Sequence, residues 1–255
     1  MNLVFASGFL APQKVLGVDY FRDLPAQYPD AIFPHVAVDG GVRDRAPVLA
    51  EQIKQRFPTG EIHIIAHSMG GLDSRFLLSN NLLGLADRVV SLSTVSTPHR
   101  GSPVADLVLG LIPEIDARPV RAVLDRLSSV GSGALDDLTA TAALKFNQEN
   151  PDLPHVRYLS YFGSGHISFA LLPTYEFIKS RGRTDDEKTN DGVVSLSSAR
   201  WPIDLVEPPW PADHLAQIGH DLDTLDLHTS FDHKKAFERI VQRALNPAAP
   251  GGSQN

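Results

Sequence analysis

Glu61-Ile-His-Ile-Ile-Ala-His-Ser-Met-Gly-Gly-Leu-Asp73 decides the reading of this chain. Strand-forming residues run up to a small residue, Ala66. A serine follows two positions later, and Gly70 and Gly71 then lead into a helical segment. Strand, sharp turn and helix with a serine at the tip make up a nucleophile elbow. The bend is so tight that the neighbours two residues to either side must be small. The usual pattern has glycine two residues before the serine. Ala66 stands there instead, and its methyl group still meets the packing demand. Ser68 is thereby expected to present its hydroxyl at the top of a sheet.

Outward from the elbow, apolar runs alternate with helical spacing. Leu3 to Ala6 reads as a strand ending at Ser7-Gly8-Phe9, and His35 to Val38 as a second strand. Residues 10–30, with Pro12, Pro25 and Pro29, read as an irregular loop. Ala46, Leu49, Ala50, Ile53 and Phe57 recur at helical intervals. Ile62 to His67 is the nucleophile strand, Leu72 to Leu78 opens the helix after it, and Val89 to Val95 is a further strand. Val156 to Phe162 and Val193 to Leu196 continue as strands. Tyr175 to Lys179 reads as a helix, Arg181 to Asn190 as a charged loop, and Phe231 to Leu245 as the closing helix. Buried strands alternating with helices predict an α/β fold, a mostly parallel sheet covered on both faces. Such sheets place ligands beyond the carboxyl ends of their strands.

Residues 102–150 interrupt this rhythm. Val104 to Leu111, Val120 to Leu127 and Ala142 to Asn147 are apolar helical pieces. They either complete the core as a helical layer or form a cap whose inner face covers the site. On the second reading Leu107 and Leu111 join Phe9 in contacting substrate. The whole reads as one domain over residues 1–247, with residues 248–255 a disordered tail.

Composition narrows the function. A net charge of −7 argues against nucleic acid. The absence of cysteine excludes disulfides and thiol nucleophiles. No apolar run is long enough to span a membrane. The apolar N-terminus has no basic residue before it, so a signal peptide is not expected and a cytoplasmic location is. His63 and His67 lie four apart on a strand, with Ile64 where a metalloprotease helix carries glutamate. Neither a phosphate-binding loop nor a dinucleotide fingerprint occurs. No metal and no cofactor are expected.

A serine nucleophile needs a base, and the base needs an orienting carboxylate. Asp191, in the turn Asn190-Asp-Gly192, is the best-placed acid; Asp185 and Asp186 compete from a charged loop. Among the later histidines His214 leads, with His228 next. An oxyanion hole needs two backbone N–H groups, expected from Met69 and from Phe9.

Taken together the chain resembles bacterial true lipases of the Pseudomonas and Burkholderia type, within the α/β-hydrolase superfamily. The residues carrying the likeness are Ser7-Gly-Phe9, Val18-Asp-Tyr-Phe21, Ala66-His-Ser-Met-Gly-Gly71, Ser96-Thr-Pro-His-Arg-Gly-Ser102, Phe146-Asn147, Asn190-Asp-Gly-Val193 and Asp213-His-Leu215. The resemblance implies an α/β-hydrolase fold with a helical cap insertion, and Ser68, Asp191 and His214 as a catalytic triad. It implies cleavage of carboxylic esters of acyl chains by a lipase or carboxylesterase, through an acyl-enzyme. A small-molecule ester or lipid would be the partner, with or without contact at a lipid interface. A thioesterase or polyester depolymerase would use the same triad, and a non-catalytic binding module could share the fold. The chain departs from the family in three respects. It has no disulfide. Its cap is shorter. Ala216 stands where those lipases place a calcium-binding aspartate, so no calcium site is expected.

Overall fold

A computed structural model describes residues 1–9, 14–15, 17–36, 40–112, 118, 132–202 and 204–246. In chain order the elements are β1 (Asn2–Ala6), a small antiparallel ribbon of β2 (Lys14–Val15) and β3 (Val18–Asp19), α1 (Leu24–Gln27), α2 (Val42–Arg56), β4 (Ile62–His67), α3 (Gly70–Ser79) and β5 (Val89–Val95). There follow α4 (Pro103–Val108), α5 (Ser132–Asp137), α6 (Ala140–Glu149), β6 (Arg157–Tyr161), α7 (Leu172–Arg181), α8 (Asp185–Lys188), α9 (Leu196–Ala199) and α10 (His233–Leu245). The main sheet runs β1-β4-β5-β6, and every pairing in it is parallel.

The alternation of side chains along the strands divides the core in two. Leu3, Phe5 and Ile65 point to one face and pack with Phe237 and Ile240 of α10. Val4, Ala6, Ile64 and Ala66 point to the other and pack with Leu49 and Ile53 of α2 and Leu77 of α3. All six residues of β4 are buried because helices cover both faces. Each large apolar side chain so buried stabilises the fold by about 1.5–3 kcal/mol before entropy is counted. Helix α10 is held at its start by Asp232, whose carboxylate accepts from the Lys235 N–H. Its buried residues, His233, Ala236, Phe237, Ile240, Val241 and Ala244, recur at intervals of one helical face.

Register places the site. Ala66 pairs with Ala6 on one side and Thr94 on the other, and Val95 pairs with Tyr161. The carboxyl ends of the four strands therefore share one edge, from which Ser7, Ser68, Ser96 and Phe162 emerge.

The local expectations need correction at several places. Of the strand expected over His35 to Val38, His35 and Val36 are described and carry no strand, and Ala37 and Val38 lie outside the described residues; Ile32 makes the parallel bridge to Val4. His35 spends its N–H and carbonyl on the Gln52 side chain instead of on a strand neighbour. Val193 to Leu196 is a turn leading into α9, because the Asp191 carboxylate takes the N–H groups of Val193 and Val194 and Ser195 caps the helix. Residues 181–190 contain α8, capped by Thr184 and Glu187. Residues 14–27 contain the ribbon and α1. Val120 to Leu127 and the tail lie outside the described residues. Among the described residues no helix is long and apolar enough to cross a membrane.

Candidate active site

Ser68 has φ +56°. The left-handed region costs a residue with a Cβ roughly 1–2 kcal/mol, so the surroundings must hold it there. The Ser68 N–H donates to the Val95 carbonyl at 2.9 Å, and Thr97 Oγ1 donates to the Ser68 carbonyl at 2.8 Å. The two glycines that follow admit no side chain. A Cβ on Gly70 would lie 2.5 Å from the Ala6 carbonyl oxygen, and one on Gly71 would lie 2.2 Å from Thr97 Oγ1.

A hydrogen-bonded chain of buried groups leads away from the serine. His214 Nε2 lies 3.0 Å from Ser68 Oγ, and His214 Nδ1 lies 2.7 Å from Asp191 Oδ2. Asp191 Oδ1 accepts the N–H groups of Val193 and Val194 at 3.0 and 2.8 Å, and Oδ2 also accepts Gln217 Nε2 at 3.1 Å. Burial opposes the Asp191 charge. The imidazole of His214 and the two backbone donors outweigh it and hold the carboxyl below the usual carboxylate range. Gln217 is itself fixed by Ser96, whose hydroxyl donates to Oε1 at 2.7 Å. Asp213 accepts the N–H groups of Leu215 and Ala216 on one oxygen and that of Ser168 on the other, pinning the loop that carries His214. His228, the competing base, is half-exposed and faces Asp23 at 3.6 Å. Asp185 and Asp186 lie on α8.

Ser7-Gly-Phe9 turns directly beside the nucleophile. A Cβ on Gly8 would lie 2.8 Å from Ser68 Cβ and 3.1 Å from its Oγ. Gly8→Ala is therefore expected to displace the serine and slow labelling of Ser68 by a fluorophosphonate by about a hundred-fold. From below, buried Arg45 donates to the Ser7 carbonyl at 3.0 Å and pairs with Asp73 of α3 at 2.8 Å, joining α2, α3 and the end of β1. Met69, buried, is the residue from which α3 begins.

The cleft over Ser68 has apolar walls: Phe9, Val104, Ala105, Leu135, Leu138 and Val193. The sequence pointed to Phe9, Leu107 and Leu111. Phe9 is in the wall, but Leu107 is buried in the cluster beneath and Leu111 is 61% exposed. On a helix starting at Pro103, the residues one face round, Val104 and Ala105, meet the cleft instead. The segment Thr97 to Ser102 straps this wall to the acid loop. The Ser102 hydroxyl donates to the Val193 carbonyl at 2.6 Å and caps α4, while Ser198 Oγ donates to the Gly101 carbonyl. A larger cavity lined by Phe5, Ser7, Asp19, Tyr20, Phe21 and Phe33 contains none of Ser68, His214 or Asp191.

Two further buried histidines surround the site. Burial holds the imidazoles of His67 and His99 far below their usual range, helped by His214 beside the first and by Arg75 and Arg100 beside the second. Unfolded, each takes up a proton near pH 6.5. As the pH falls below that value the unfolded chain gains protons the folded chain refuses. Stability then falls by up to about 1.4 kcal/mol per pH unit for each histidine. Asp73 acts in the opposite sense. Burial lifts its carboxyl to about 6 against the pull of Arg45, so the folded chain is the first to bind that proton between about pH 6 and 4. His63, His220 and His233, which burial also holds below their usual range, add to the histidine side, and Asp106, Asp137 and Asp213, which burial lifts, add to the carboxylate side. The urea midpoint is expected to fall steadily from pH 7 to pH 5, and a flat profile would contradict this.

The resemblance implied a calcium-binding aspartate at position 216. Ala216, buried, is in the coordinating place. Among the described residues His166, Asp221 and Asp223 bring donor atoms within 4.8 Å of one another. Asp221 already accepts the Asp223 N–H, and Asp223 that of Phe169. Calcium takes about six to eight oxygen ligands; one imidazole and two engaged carboxylates do not fit it.

No protein-family model matches the chain. It is 32% identical to triacylglycerol lipase 2 of Saccharomyces cerevisiae, across 64% of this chain and 49% of that protein. It is 26% identical to a triacylglycerol lipase of Vibrio cholerae, across 95% of this chain and 88% of the relative. The chain thus spans about half the length of the yeast relative and most of the bacterial one. The Staphylococcus hyicus lipase superposes with a TM-score of 0.70 at 18% identity, over 97% of this chain and 96% of that one. A metagenomic carboxyl esterase superposes with a TM-score of 0.74 at 23% identity, over 96% of this chain and 75% of that one. The fold is that of the α/β hydrolases.

Proposed function

We propose that this chain, an α/β hydrolase of the bacterial lipase type, cleaves carboxylic esters of acyl chains. The observation that carries the reading is the unbroken run of hydrogen bonds from Ser68 Oγ through His214 to Asp191, at the tip of a strained turn. Ser68 attacks the ester carbonyl while His214 Nε2 takes its proton. Asp191 holds the proton of His214 on Nδ1 and stabilises the imidazolium that forms. The backbone N–H groups of Met69 and Phe9 receive the developing oxyanion. His214 then gives its proton to the departing alcohol, and a water, deprotonated by His214, cleaves the acyl-enzyme.

The apolar walls of the cleft support an acyl chain in preference to a charged substrate. Val104, Ala105, Leu135 and Leu138 belong to the insertion, so the cap would set the chain length it accepts. Hydrolysis of p-nitrophenyl esters from acetate to palmitate tests this. Turnover rising with acyl length over the shorter members is expected. No hydrolysis of any member, with no labelling of Ser68 by a fluorophosphonate, would overturn the reading and leave a binding module.

A further inference from the structure

Tyr20 touches neither the nucleophile nor the base in the relay above, yet its hydroxyl joins the two segments that must stay in register around them. The Gly8 N–H donates to Tyr20 Oη at 3.0 Å. Because Oη accepts there, its own proton is free to go to His67 Nδ1, 2.7 Å away. Gly8 belongs to the turn carrying Phe9. His67 immediately precedes Ser68, is wholly buried, and has its ring centroid 4.6 Å from that of His214. With Nδ1 as the acceptor, the ring proton of a neutral His67 sits on Nε2, a buried atom with no hydrogen-bond partner among the described residues.

The phenol is itself held in place. His220 Nε2 donates to the carbonyls of both Asp19 and Tyr20 at 3.0 Å. His220 lies six residues after His214 on the same loop. The Tyr20 ring packs edge-on against Phe21 at 5.1 Å. Burial keeps the phenol protonated, well above its usual range, so it remains a donor.

From this geometry we infer that Tyr20 is a positioning residue: its hydroxyl clamps the turn of Gly8 and Phe9 to the nucleophile elbow through His67. It sets the separation of the two N–H groups assigned to the oxyanion, and it fixes the tautomer of the ring packed against His214. The inference rests on the ester-hydrolase reading for its effect on rate, but the clamp itself is a statement about two hydrogen bonds.

The test is Tyr20→Phe, which keeps the ring and removes the hydroxyl. With p-nitrophenyl butyrate, kcat is expected to fall about ten- to a hundred-fold, with KM changed less than about twofold and the urea midpoint nearly kept. His67→Leu is expected to match it, and the double variant to be no worse than either single change, since both break one link. His67→Asn, whose Oδ1 can take the place of Nδ1 as acceptor, should recover most of the rate lost in His67→Leu. Two readouts need no turnover. Hydrogen exchange at the Gly8 amide should quicken in Tyr20→Phe, and the nitrogen shifts of His67 should report a hydrogen-bonded, unprotonated Nδ1 in the parent protein only. A kcat lost only in step with stability, additive effects in the double variant, or Gly8 exchange unchanged would each overturn the clamp. If the parent protein hydrolysed no ester the functional reading would fall, and the exchange and nitrogen measurements would still decide the clamp.

Discussion

Ser68→Ala is expected to lower kcat for ester hydrolysis by about ten-thousand-fold or more while leaving the protein folded. Among the described residues the Ser68 hydroxyl is the one seated for attack: its Oγ is 3.0 Å from the His214 imidazole, and it lines the small apolar-walled cavity of about 20 Å³. Removing it deletes one oxygen and leaves the turn intact. The backbone bonds to Val95 and from Thr97 do not involve the side chain, and alanine pays the same left-handed cost as serine. The change in stability should therefore be within about 1 kcal/mol. Steady-state kinetics and urea unfolding on the same preparation check both halves. An active Ser68→Ala would remove the nucleophile from the account, whereas an unfolded one would show that the hydroxyl also holds the elbow.

Asp191→Asn is expected to cost about a thousand- to ten-thousand-fold in kcat, and the hydrogen bonds say why so small a change is so damaging. Oδ1 of Asp191 accepts two N–H groups, from Val193 and Val194. An asparagine must put its carbonyl oxygen there. Its NH₂ then faces His214 Nδ1, where it can only donate. The imidazole is driven into the tautomer with its proton on Nε2, pointing at Ser68 Oγ and unable to accept from it. The same NH₂ also meets Gln217 Nε2, a donor at 3.1 Å from the native oxygen. His214→Ala should reduce turnover at least as far, because the base itself is gone. If His214→Ala kept its rate and His228→Ala lost it, the base would have been assigned wrongly.

Much of this arrangement was legible before any coordinates. The α2 face was visible as Ala46, Leu49, Ala50 and Ile53, all now buried. The strands β1, β4 and β5 were visible as short apolar runs, because a strand covered on both faces has no polar side to dilute the signal. Two of the misread places share one cause, a side chain that takes the backbone groups. Val193 to Leu196 has strand-forming residues, but an aspartate two residues upstream takes their N–H groups, and a carboxylate competes well for backbone donors. His35 has its donors and acceptors taken by Gln52, far along α2. Leu107 and Leu111 were chosen for apolarity alone. Which side of α4 meets the cleft depends on the entry angle at Pro103, and no local pattern encodes it.

Residues missed altogether had no local signature. Gln217, Arg45 and Asp73 hold parts of the site by side-chain bonds to residues far along the chain. Tyr20 and His67 each sat in a motif that had been noticed. Nothing in the chain order told that one would bond the other.

The amino-acid order alone determined what is local: that a strand ends in a strained serine turn, that glycines must follow it, and that helices will cover a parallel sheet. These follow from steric limits and side-chain periodicity within a dozen residues. The folded chain alone decided which acid and which imidazole meet that serine. The imidazole comes from 146 residues away and the acid from 23 residues before the imidazole. Their meeting rests on parallel register that brings all the strand ends to one edge, and hydrogen bonds of a few ångströms cannot be read from spacings of that size.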